Sequence, residues 1–195
     1  MPARKRPGRK IITCAAISAD GYIARPDGDV DWLHQIPSQS DYGLAKFEAG
    51  VDTILMGRKT YDWAMRYYRK IGKPDGVWNE RLTYHVFSRK PPTKVPAPIN
   101  FVNTPVKKFA RRLRDAPGKN IWMMGGAGLI ASFLDAGEID EMRLFIAPIA
   151  VGGRSARVPF EGEGADTIAS AQRALSLTTE RVGQDVLIRA RLNDW

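Results

Sequence analysis

One stretch of the sequence, Ile121–Ile130, constrains the fold more than any other. Its apolar run Ile121–Met124 ends at Gly125-Gly126, and a helical pattern follows at once. This order predicts a buried strand, a turn without side chains and the N-terminus of a helix. Such a turn exposes backbone N–H groups and the positive end of a helix dipole, which together suit phosphate. A tight turn without a ligand is the alternative that the glycines alone leave open.

Strand-like and helix-like segments alternate along most of the chain. Short apolar runs predict strands at Lys10–Ile17, Asp52–Met56, Leu82–Phe87, Ile99–Val102, Lys119–Met124 and Glu141–Ala147. Capped or amphipathic segments predict helices at Asp41–Ala49, Tyr61–Met65, Pro105–Arg114 and Gly126–Ala136. Alternation in Ala174–Arg181 and Asp185–Leu192 predicts a terminal antiparallel hairpin. This succession indicates a three-layer α/β fold with a mostly parallel sheet.

Length and charge predict one domain at residues 10–195 that follows a disordered basic tail at residues 1–9. The net charge is +9, and five positive charges lie in Arg4–Lys10, so the rest of the chain carries +4. An anionic small ligand accounts for that remainder, and nucleic acid is not expected as a partner. No apolar run reaches the roughly 18 residues of a membrane span, so we expect a cytoplasmic protein without a membrane partner.

The remaining reactive residue types predict no further chemistry. Cys14 lies in an apolar strand and is expected to be a buried hydrophobic residue. His34 and His85 have no partners at metal-ligand spacing, so no metal site is expected. The aromatic and basic segment Arg66–Glu80 is predicted to be a surface loop that covers a pocket, with stacking on nucleobases as the alternative.

Three predicted strand ends carry groups that bind anions. They are Gly125-Gly126, Gly57-Arg58-Lys59-Thr60 and Ser88-Arg89. Ligands of open α/β sheets collect outside the carboxyl ends of the strands, so these groups are expected to converge. Arginines beside a hydroxyl suit a phosphate monoester, which favours a dinucleotide with an extra phosphate. The match of Gly126–Ala131 to a Rossmann fingerprint is rejected, because it comes late in the chain and no acidic residue follows at the required spacing.

The order of several motifs resembles the dihydrofolate reductase-like superfamily and, within it, the RibD C-terminal domain family of riboflavin biosynthesis. The motifs are Ser18–Ala24, Asp31-Trp32, Met56–Tyr61, Val86–Arg89, Met124–Ala127, Ile139–Leu144 and Ala147-Pro148. The resemblance implies a three-layer α/β/α dihydrofolate reductase-like fold, with a mostly parallel central sheet and a C-terminal antiparallel hairpin.

The same resemblance implies NADPH as the hydride donor and assigns residues to it. Gly57, Arg58 and Thr60 would hold the adenosine side and its phosphates, and Ser88 and Arg89 would read the 2′-phosphate. Gly125, Gly126 and Ala127 would cradle the pyrophosphate, and backbone groups of Ala16 and Ile23 would meet the nicotinamide carboxamide.

Two acids are candidates for the catalytic group. Asp20 matches the family signature beside the substrate pocket, with a turn-capping carboxylate as the alternative. Counting back from Met56–Arg58 places Asp41 where dihydrofolate reductases have the carboxylate that binds the pterin, with a helix N-cap as the alternative. Trp32 is expected either to line the substrate pocket or to be a core aromatic residue.

The sequence is therefore similar to that of an NADPH-dependent reductase that transfers hydride to a small heterocycle or a sugar-derived imine. The resemblance points to a 5-amino-6-(5-phosphoribosylamino)uracil reductase, with a dihydrofolate or pterin reductase as the first alternative. A nucleotide-binding or nucleic-acid-binding module without catalysis is the alternative of another class. The apolar C-terminal hairpin is expected to form the edge of a homodimer.

Overall fold

A mixed eight-stranded sheet organises residues 8–34, 41–93, 95 and 98–193, which the computed structural model describes. Its strands are β1 Ile11–Ser18, β2 Val51–Gly57, β3 Thr83–Phe87, β4 Ile99–Val102, β5 Asn120–Gly125, β6 Glu141–Ala147, β7 Ser176–Val182 and β8 Asp185–Arg191. The helices are α1 Leu44–Ala49, α2 Arg58–Lys70, α3 Val106–Asp115 and α4 Ala127–Asp135, and a short 3-10 helix covers Asp31–His34.

The strands lie in the order β4-β3-β2-β5-β1-β6-β8-β7. All neighbouring pairs from β4 to β6 are parallel, whereas β8 pairs antiparallel with both β6 and β7. This arrangement confirms the predicted mostly parallel sheet and the C-terminal antiparallel hairpin.

Alternating side chains of the buried strands divide the core between the two faces of the sheet. On one face, Leu55 of β2 and Met123 of β5 pack with α3 and α4 in the largest apolar cluster. On the other face, Ile54 of β2 packs under α2, and Ile12 of β1 packs with Phe47 of α1. Successive strand residues point to opposite faces, so apolar runs without polar alternation are the pattern that a two-sided core requires.

The basic segment at the start of the chain is ordered at its end. Arg9 is only 7% exposed, and its Nε donates to the carbonyl of Lys119 at 2.5 Å. Its Nη2 donates to the carboxylate of Asp52 and, at 2.6 Å, to Thr53 Oγ1. The prediction of a disordered tail over residues 1–9 is therefore wrong at Arg9, because charge alone does not reveal a buried partner; residues 1–7 lie outside the described part.

Helix α2 is longer than the sequence indicated. It runs through Arg58–Lys70, so the predicted loop Arg66–Glu80 is wrong over its first five residues. Beyond the helix the chain folds back, and Trp78 stacks on Tyr61 at 6.1 Å between ring centroids. The helix was not predicted in full, because basic residues line its exposed side while Tyr61 and Met65 are buried.

Within the described residues, no helix combines the length and the apolar character that crossing a bilayer demands.

A buried ion pair joins α3 to Asp140, the residue directly before β6. Asp140 is fully buried and accepts hydrogen bonds from Arg114 Nη1 at 2.6 Å and from the N–H of Ile11 at 2.7 Å. Arg114 also donates to the carbonyls of Arg9 and Glu138, both at 2.9 Å. These bonds fix the start of β1 against the start of β6, at the end of the sheet opposite the carboxyl ends of the strands.

We expect Asp140→Asn to lower the free energy of unfolding by about 3 kcal/mol, because it removes the nearer of the two carboxylates, Asp140 and Glu138, that compensate buried Arg114. Urea denaturation followed by circular dichroism measures the change. The matched control is Asp115→Asn in the exposed Arg111–Asp115 pair, whose atoms are 3.9 Å apart. That control is expected to change stability by less than about 0.5 kcal/mol, and equal losses in the two variants would contradict the assignment.

Candidate functional site

The sheet opens between β1 and β5 towards their carboxyl ends. These strands pair only where Ile11–Thr13 faces Ile121–Met123. In the described residues, the rest of β1 pairs with β6 alone, whereas β5 continues beside β2 up to Gly125. After β1 the chain continues to α1 on one face of the sheet, and after β5 it continues to α4 on the opposite face. The opening is therefore a topological switch point, which is where open α/β sheets bind ligands.

The diglycine forms the turn at the end of β5. Gly125 has a φ of +137°, a conformation that favours glycine, and the Gly125–Gly126 peptide bond is cis. Ala127 begins α4 directly after the turn, and it is buried. The N–H groups of Leu129 and Ile130 donate to the carbonyl of Gly126 at 2.9 and 3.0 Å, which leaves those of Ala127 and Gly128 without an acceptor within the helix.

A second glycine turn touches the first. An added Cβ on Gly57, at the end of β2, would lie 3.5 Å from the backbone nitrogen of Gly126. An added Cβ on Gly126 would lie 3.0 Å from Oγ1 of Thr60, in the first turn of α2. The predicted pyrophosphate and adenosine-side residues therefore meet at two adjacent strand ends, where a side chain at Gly126 would be crowded by Thr60.

A basic cavity of about 810 Å³ lies beside these turns, outside the ends of β3 and β4. Its lining consists of Arg58, Phe87, Ser88, Arg89, Lys90, Val102, Asn103 and Thr104. Three of these residues are cationic, and none is acidic. The cavity has the charge and the size to bind a phosphate-bearing group.

Arg58 is held in place at the edge of this cavity. Its Nε donates to both carboxylate oxygens of Asp62, at 2.8 and 2.9 Å, and its Nη1 donates to the carbonyl of Lys90 at 3.0 Å. The hydroxyl of Ser88 donates to the same carbonyl at 3.0 Å. Because Asp62 neutralises Arg58 in part, the cations most available to a ligand are Arg89 and Lys90, which are exposed and have no ion pair among the described residues.

Asp20 ties the loop after β1 to the loop after β6. Its carboxylate accepts hydrogen bonds from Ser18 Oγ at 2.5 Å and from the N–H groups of Val151 and Gly152 at 3.1 and 2.8 Å. These bonds lower its pKa, the Ser18 hydroxyl contributing most. A carboxylate stabilised in its ionised form is a poor proton donor, so this geometry favours the turn-capping alternative.

Asp41 precedes α1 and caps it. One carboxylate oxygen accepts the N–H of Gly43 at 2.9 Å, and the other accepts the N–H of Ala45 at 3.2 Å. The side chain is nevertheless exposed. The next residue, Tyr42, packs edge-on against Phe145 at 5.7 Å between ring centroids, and Phe145 lies beside Ala16 in the sheet register. Asp41 is thus bonded to the backbone at the start of α1, whose N-cap is Gly43, and it lies near the open half of β1.

The two backbone positions assigned to the nicotinamide lie on the β1 side of the opening. Ala16 is half-buried, in the part of β1 that pairs with β6 alone among the described strands. The N–H of Ile23 donates to the carbonyl of Arg157 at 2.7 Å, so only its carbonyl is open to a ligand. Ile23 therefore fits the predicted role less well than Ala16.

Trp32 lies in the 3-10 helix after this loop. It is 3% exposed, yet it belongs to none of the three apolar clusters found in the described residues. Its indole N–H is buried and has no acceptor among the residues that the structure describes. A buried donor without a partner is unfavourable, which supports the pocket-lining role over that of a core aromatic residue.

The cysteine and the described histidine are core residues. Cys14 is buried, and burial raises its pKa to about 11. His85 packs edge-on against Phe109, and burial together with the charges of Arg112 and Arg9 lowers its pKa to about 4. Within the described ranges, no cluster of three or more histidine, cysteine or acidic side chains could hold a metal ion. The side chain of His34 lies outside those ranges.

The sequence-based prediction missed several residues of the site. Lys90, Asn103 and Thr104 line the basic cavity, and Phe101 lies under Arg58, 5.8 Å from ring centroid to guanidinium carbon. Asn103 and Thr104 could have been found, because they directly follow β4, as Ser88 follows β3. Phe101 could not, because nothing local in the sequence shows that β4 lies beside β3.

Comparison with known proteins identifies relatives over most of the chain. The uncharacterized proteins YwjB and YyaP of Bacillus subtilis (strain 168) are 33% and 36% identical over 144 and 149 residues. Each match spans 74% of this chain, and 79% and 77% of the relative. The 2,5-diamino-6-ribosylamino-4(3H)-pyrimidinone 5′-phosphate reductase of Methanothermobacter thermautotrophicus is 38% identical over 77 residues, which span 40% of this chain and 36% of that protein.

Solved structures support the fold. A protein of Shewanella sp. PV-4, provisionally assigned to riboflavin biosynthesis, has a TM-score of 0.71 at 27% identity and covers 93% of this chain and 98% of its own. The dihydrofolate reductase of Enterococcus faecalis, solved with NADP(H), has a TM-score of 0.55 at 12% identity, with 93% and 96% covered. The second likeness concerns the fold alone and confirms the predicted dihydrofolate reductase-like architecture.

The comparison with protein families agrees with the motifs and with the topology. Residues 9–188 match the RibD C-terminal domain, which is nearly the whole chain. The match includes both glycine turns, the basic cavity and the opening between β1 and β5. This chain therefore belongs to the RibD C-terminal domain family.

Proposed function

We propose that this protein is an NADPH-dependent reductase that transfers hydride to a small heterocyclic or sugar-imine substrate. The observation that carries the proposal is the contact of the Gly57 and Gly126 turns beside a basic cavity, at a switch point of the sheet. Membership in a family named for riboflavin biosynthesis and the pyrimidinone 5′-phosphate reductase among its relatives favour a phosphoribosylaminopyrimidine substrate. The likeness to dihydrofolate reductase concerns the fold alone, so a pterin is the second candidate substrate.

The residues present fit an NADPH molecule. Because Gly126 has no side chain, the space between it and Thr60 is open to an oxyanion. The N-terminus of α4 would supply N–H donors for the pyrophosphate. Arg89 and Ser88 would bind the 2′-phosphate in the basic cavity, with Arg58 fixed by Asp62 at its rim. NADPH, when bound, supplies the hydride, and the chain orients the reacting rings and excludes water.

The substrate is assigned to the β1 side of the opening. Ala16 and Trp32 would contact the reacting rings, and Asp20 would act as a positioning residue by holding two loops together. Asp41 would relay a proton, because its exposed carboxylate lies near the open half of β1. Neither acid is required as a nucleophile, since hydride transfer needs no covalent intermediate.

We expect the protein to bind NADPH, and Arg89→Ala to weaken that binding by about 10- to 100-fold with little effect on NADH. The reason is that a hydrogen bond to a charged group contributes about 1.5–3 kcal/mol, and the 2′-phosphate is absent from NADH. Fluorescence titration with each nucleotide measures binding. Oxidation of NADPH, followed by its absorbance against pyrimidine and pterin substrates, then measures turnover.

Lys70→Ala, which removes an exposed cation from the far end of α2, is the matched control and should bind NADPH normally. If the folded wild-type protein bound no NADPH, the reductase proposal would fail, and a module without catalysis would become the better explanation.

Gly126→Ala is expected to weaken NADPH binding by about tenfold while the melting temperature changes little. The added methyl group would lie 3.0 Å from Thr60 Oγ1 and would occupy the space that the phosphate needs. Because φ at Gly126 is −84°, alanine meets no backbone strain there. Gly128→Ala is the control, since its Cβ meets only the carbonyl oxygen of Glu161 at 3.8 Å. Equal affinities in the two variants would argue against a phosphate at the diglycine.

We also propose that two copies of the chain associate through the sheet face formed by β6, β8 and β7. Leu144, Ile188 and Leu177 lie on the face that α3 and α4 cover elsewhere, and Leu177 is 60% exposed. Ile188→Glu is expected to give a monomer in light scattering after gel filtration, because it buries a charge in the interface. Thr178→Glu, on the opposite face of β7, should leave the dimer intact; a wild-type monomer would refute this assembly.

A further inference from the structure

Helix α2 presents a pair of stacked aromatic rings at the surface. Trp63 and Tyr67 lie one helical turn apart and are 41% and 46% exposed. Their ring centroids are 5.9 Å apart, and the planes of the two rings differ by only 6°. Each ring therefore has its inner face against the other ring and its outer face directed away from it. Exposed tryptophan and tyrosine side chains are enriched in surfaces that bind another molecule.

The pair is held in place by aromatic residues beneath it. Tyr68 packs edge-on against Tyr67, with 5.9 Å between ring centroids, and against Trp78 at 5.7 Å. Trp78 in turn stacks on Tyr61, which is buried. Ring contacts thus continue from the exposed pair to the core and fix the orientation of the pair. A surface that is ordered before binding lowers the entropic cost of binding.

Three cations lie on the same side of the helix as the two rings. Lys59, Arg66 and Lys70 occupy positions i, i+7 and i+11, a spacing that keeps them on one side of a helix. Trp63, at i+4, lies on the same line between them. From end to end this line is about 17 Å long, at 1.5 Å per residue. These residues form the aromatic–basic face of α2: Lys59, Trp63, Arg66, Tyr67 and Lys70.

The charge of the aromatic–basic face is not compensated by the described part of the chain. Its three cations are exposed and have no ion pair there. The single acid of α2, Asp62, binds Arg58 through both carboxylate oxygens. Arg58 lines the basic cavity from the first residue of α2, whereas Tyr67 and Lys70 lie in its last turn. The face is thus separate from the residues assigned to NADPH, and its charge suits a different anionic partner.

We propose that the aromatic–basic face binds single-stranded nucleic acid, with bases stacked on the two rings and phosphates bound by the three cations. Aromatic rings beside cations are the combination that binds a single strand without reading its sequence. A duplex keeps its bases stacked on one another, and an acidic polypeptide would leave the rings without stacking partners. Such binding is independent of the reductase activity. It corresponds to the base-stacking alternative for Arg66–Glu80 and replaces the expectation that nucleic acid is not a partner.

The test measures the fluorescence anisotropy of a labelled single strand of about 12 nucleotides, titrated with the full-length protein. Titrations are repeated between about 50 and 200 mM salt, since each phosphate contact releases a counterion and makes the affinity depend on salt. A duplex of the same length, polyphosphate and polyglutamate are the other probes. We expect the single strand to bind most tightly of the four and to lose affinity as salt rises.

Trp63→Leu combined with Tyr67→Leu removes both rings without changing the charge. This double variant is expected to bind the single strand at least about fivefold more weakly, because each stacked base contributes strongly to binding. Its affinity for polyphosphate, which has no bases, should equal that of the wild-type protein. An unchanged affinity for the single strand would overturn the proposal.

Arg66→Gln combined with Lys70→Gln removes two of the cations. We expect the slope of log K against log salt concentration to become less steep by about 1.4, which corresponds to the loss of two phosphate contacts on a single strand. Lys107→Gln combined with Lys108→Gln is the matched control, because it removes the same charge from the exposed side of α3, on the opposite face of the sheet. Equal changes in the two double variants would overturn the proposal, since they would show nonspecific attraction to a basic protein.

Four other results would also overturn the proposal. They are no binding of the single strand to the wild-type protein, tighter binding of polyglutamate, equal binding of the duplex, and a loss in Arg89→Ala as large as that caused by removing the two rings. The last result would place the strand in the basic cavity, and the polyglutamate result would indicate an acidic polypeptide as the partner. The melting temperature of each variant reports whether the fold is retained. If the variant without the rings unfolds, the Arg66 and Lys70 variant decides.

Discussion

The separation of β5 from β1 beyond Thr13 is the constraint on which the rest of the structure depends. Up to that point the two strands share backbone hydrogen bonds, and beyond it each keeps only its outer neighbour among the described strands. A gap of this kind leaves backbone donors and acceptors without partners, which is unfavourable unless water or a ligand satisfies them. The buried Arg114–Asp140 pair lies at the opposite end of the sheet, so it stabilises the fold without occupying the opening.

Small residues at the opening follow from the same constraint. Ala16 lines the free half of β1, and Gly57 and Gly126 lie at the ends of the neighbouring strands β2 and β5. Larger side chains would fill the space where a dinucleotide would pass close to the backbone. These residues supply proximity and N–H donors, but they carry no charge and cannot distinguish one phosphate compound from another. Selectivity must therefore reside in the charged side chains farther out, where electrostatic interactions differ between ligands.

The sequence predicts local features well, because strand periodicity, glycine turns and helix caps are encoded in neighbouring residues. The strand ends with Gly57, Ser88 and Gly125 were found in this way, and the bounds of β4 and β6 were correct. Long-range partners were not predictable from local pattern. Arg9 was assigned to a disordered tail, although Asp52 binds it, and no local pattern shows that the carboxylate of Asp20 accepts the N–H groups of Val151 and Gly152, more than 100 residues away.

Positively charged residues lie on both sides of the opening. Arg89 and Lys90 lie at one end, outside β3, and Arg157 lies at the other, beside the loop that leaves β1. In the proposed reaction, the dinucleotide binds through phosphates far from the reacting atoms, and the reacting rings meet in the middle, where the lining residues are small. Binding energy from remote groups then reduces the entropic cost of bringing the reacting carbons together. The proposed hydride transfer has little need for reactive side chains at the point of contact, and it is there that the structure places the smallest ones.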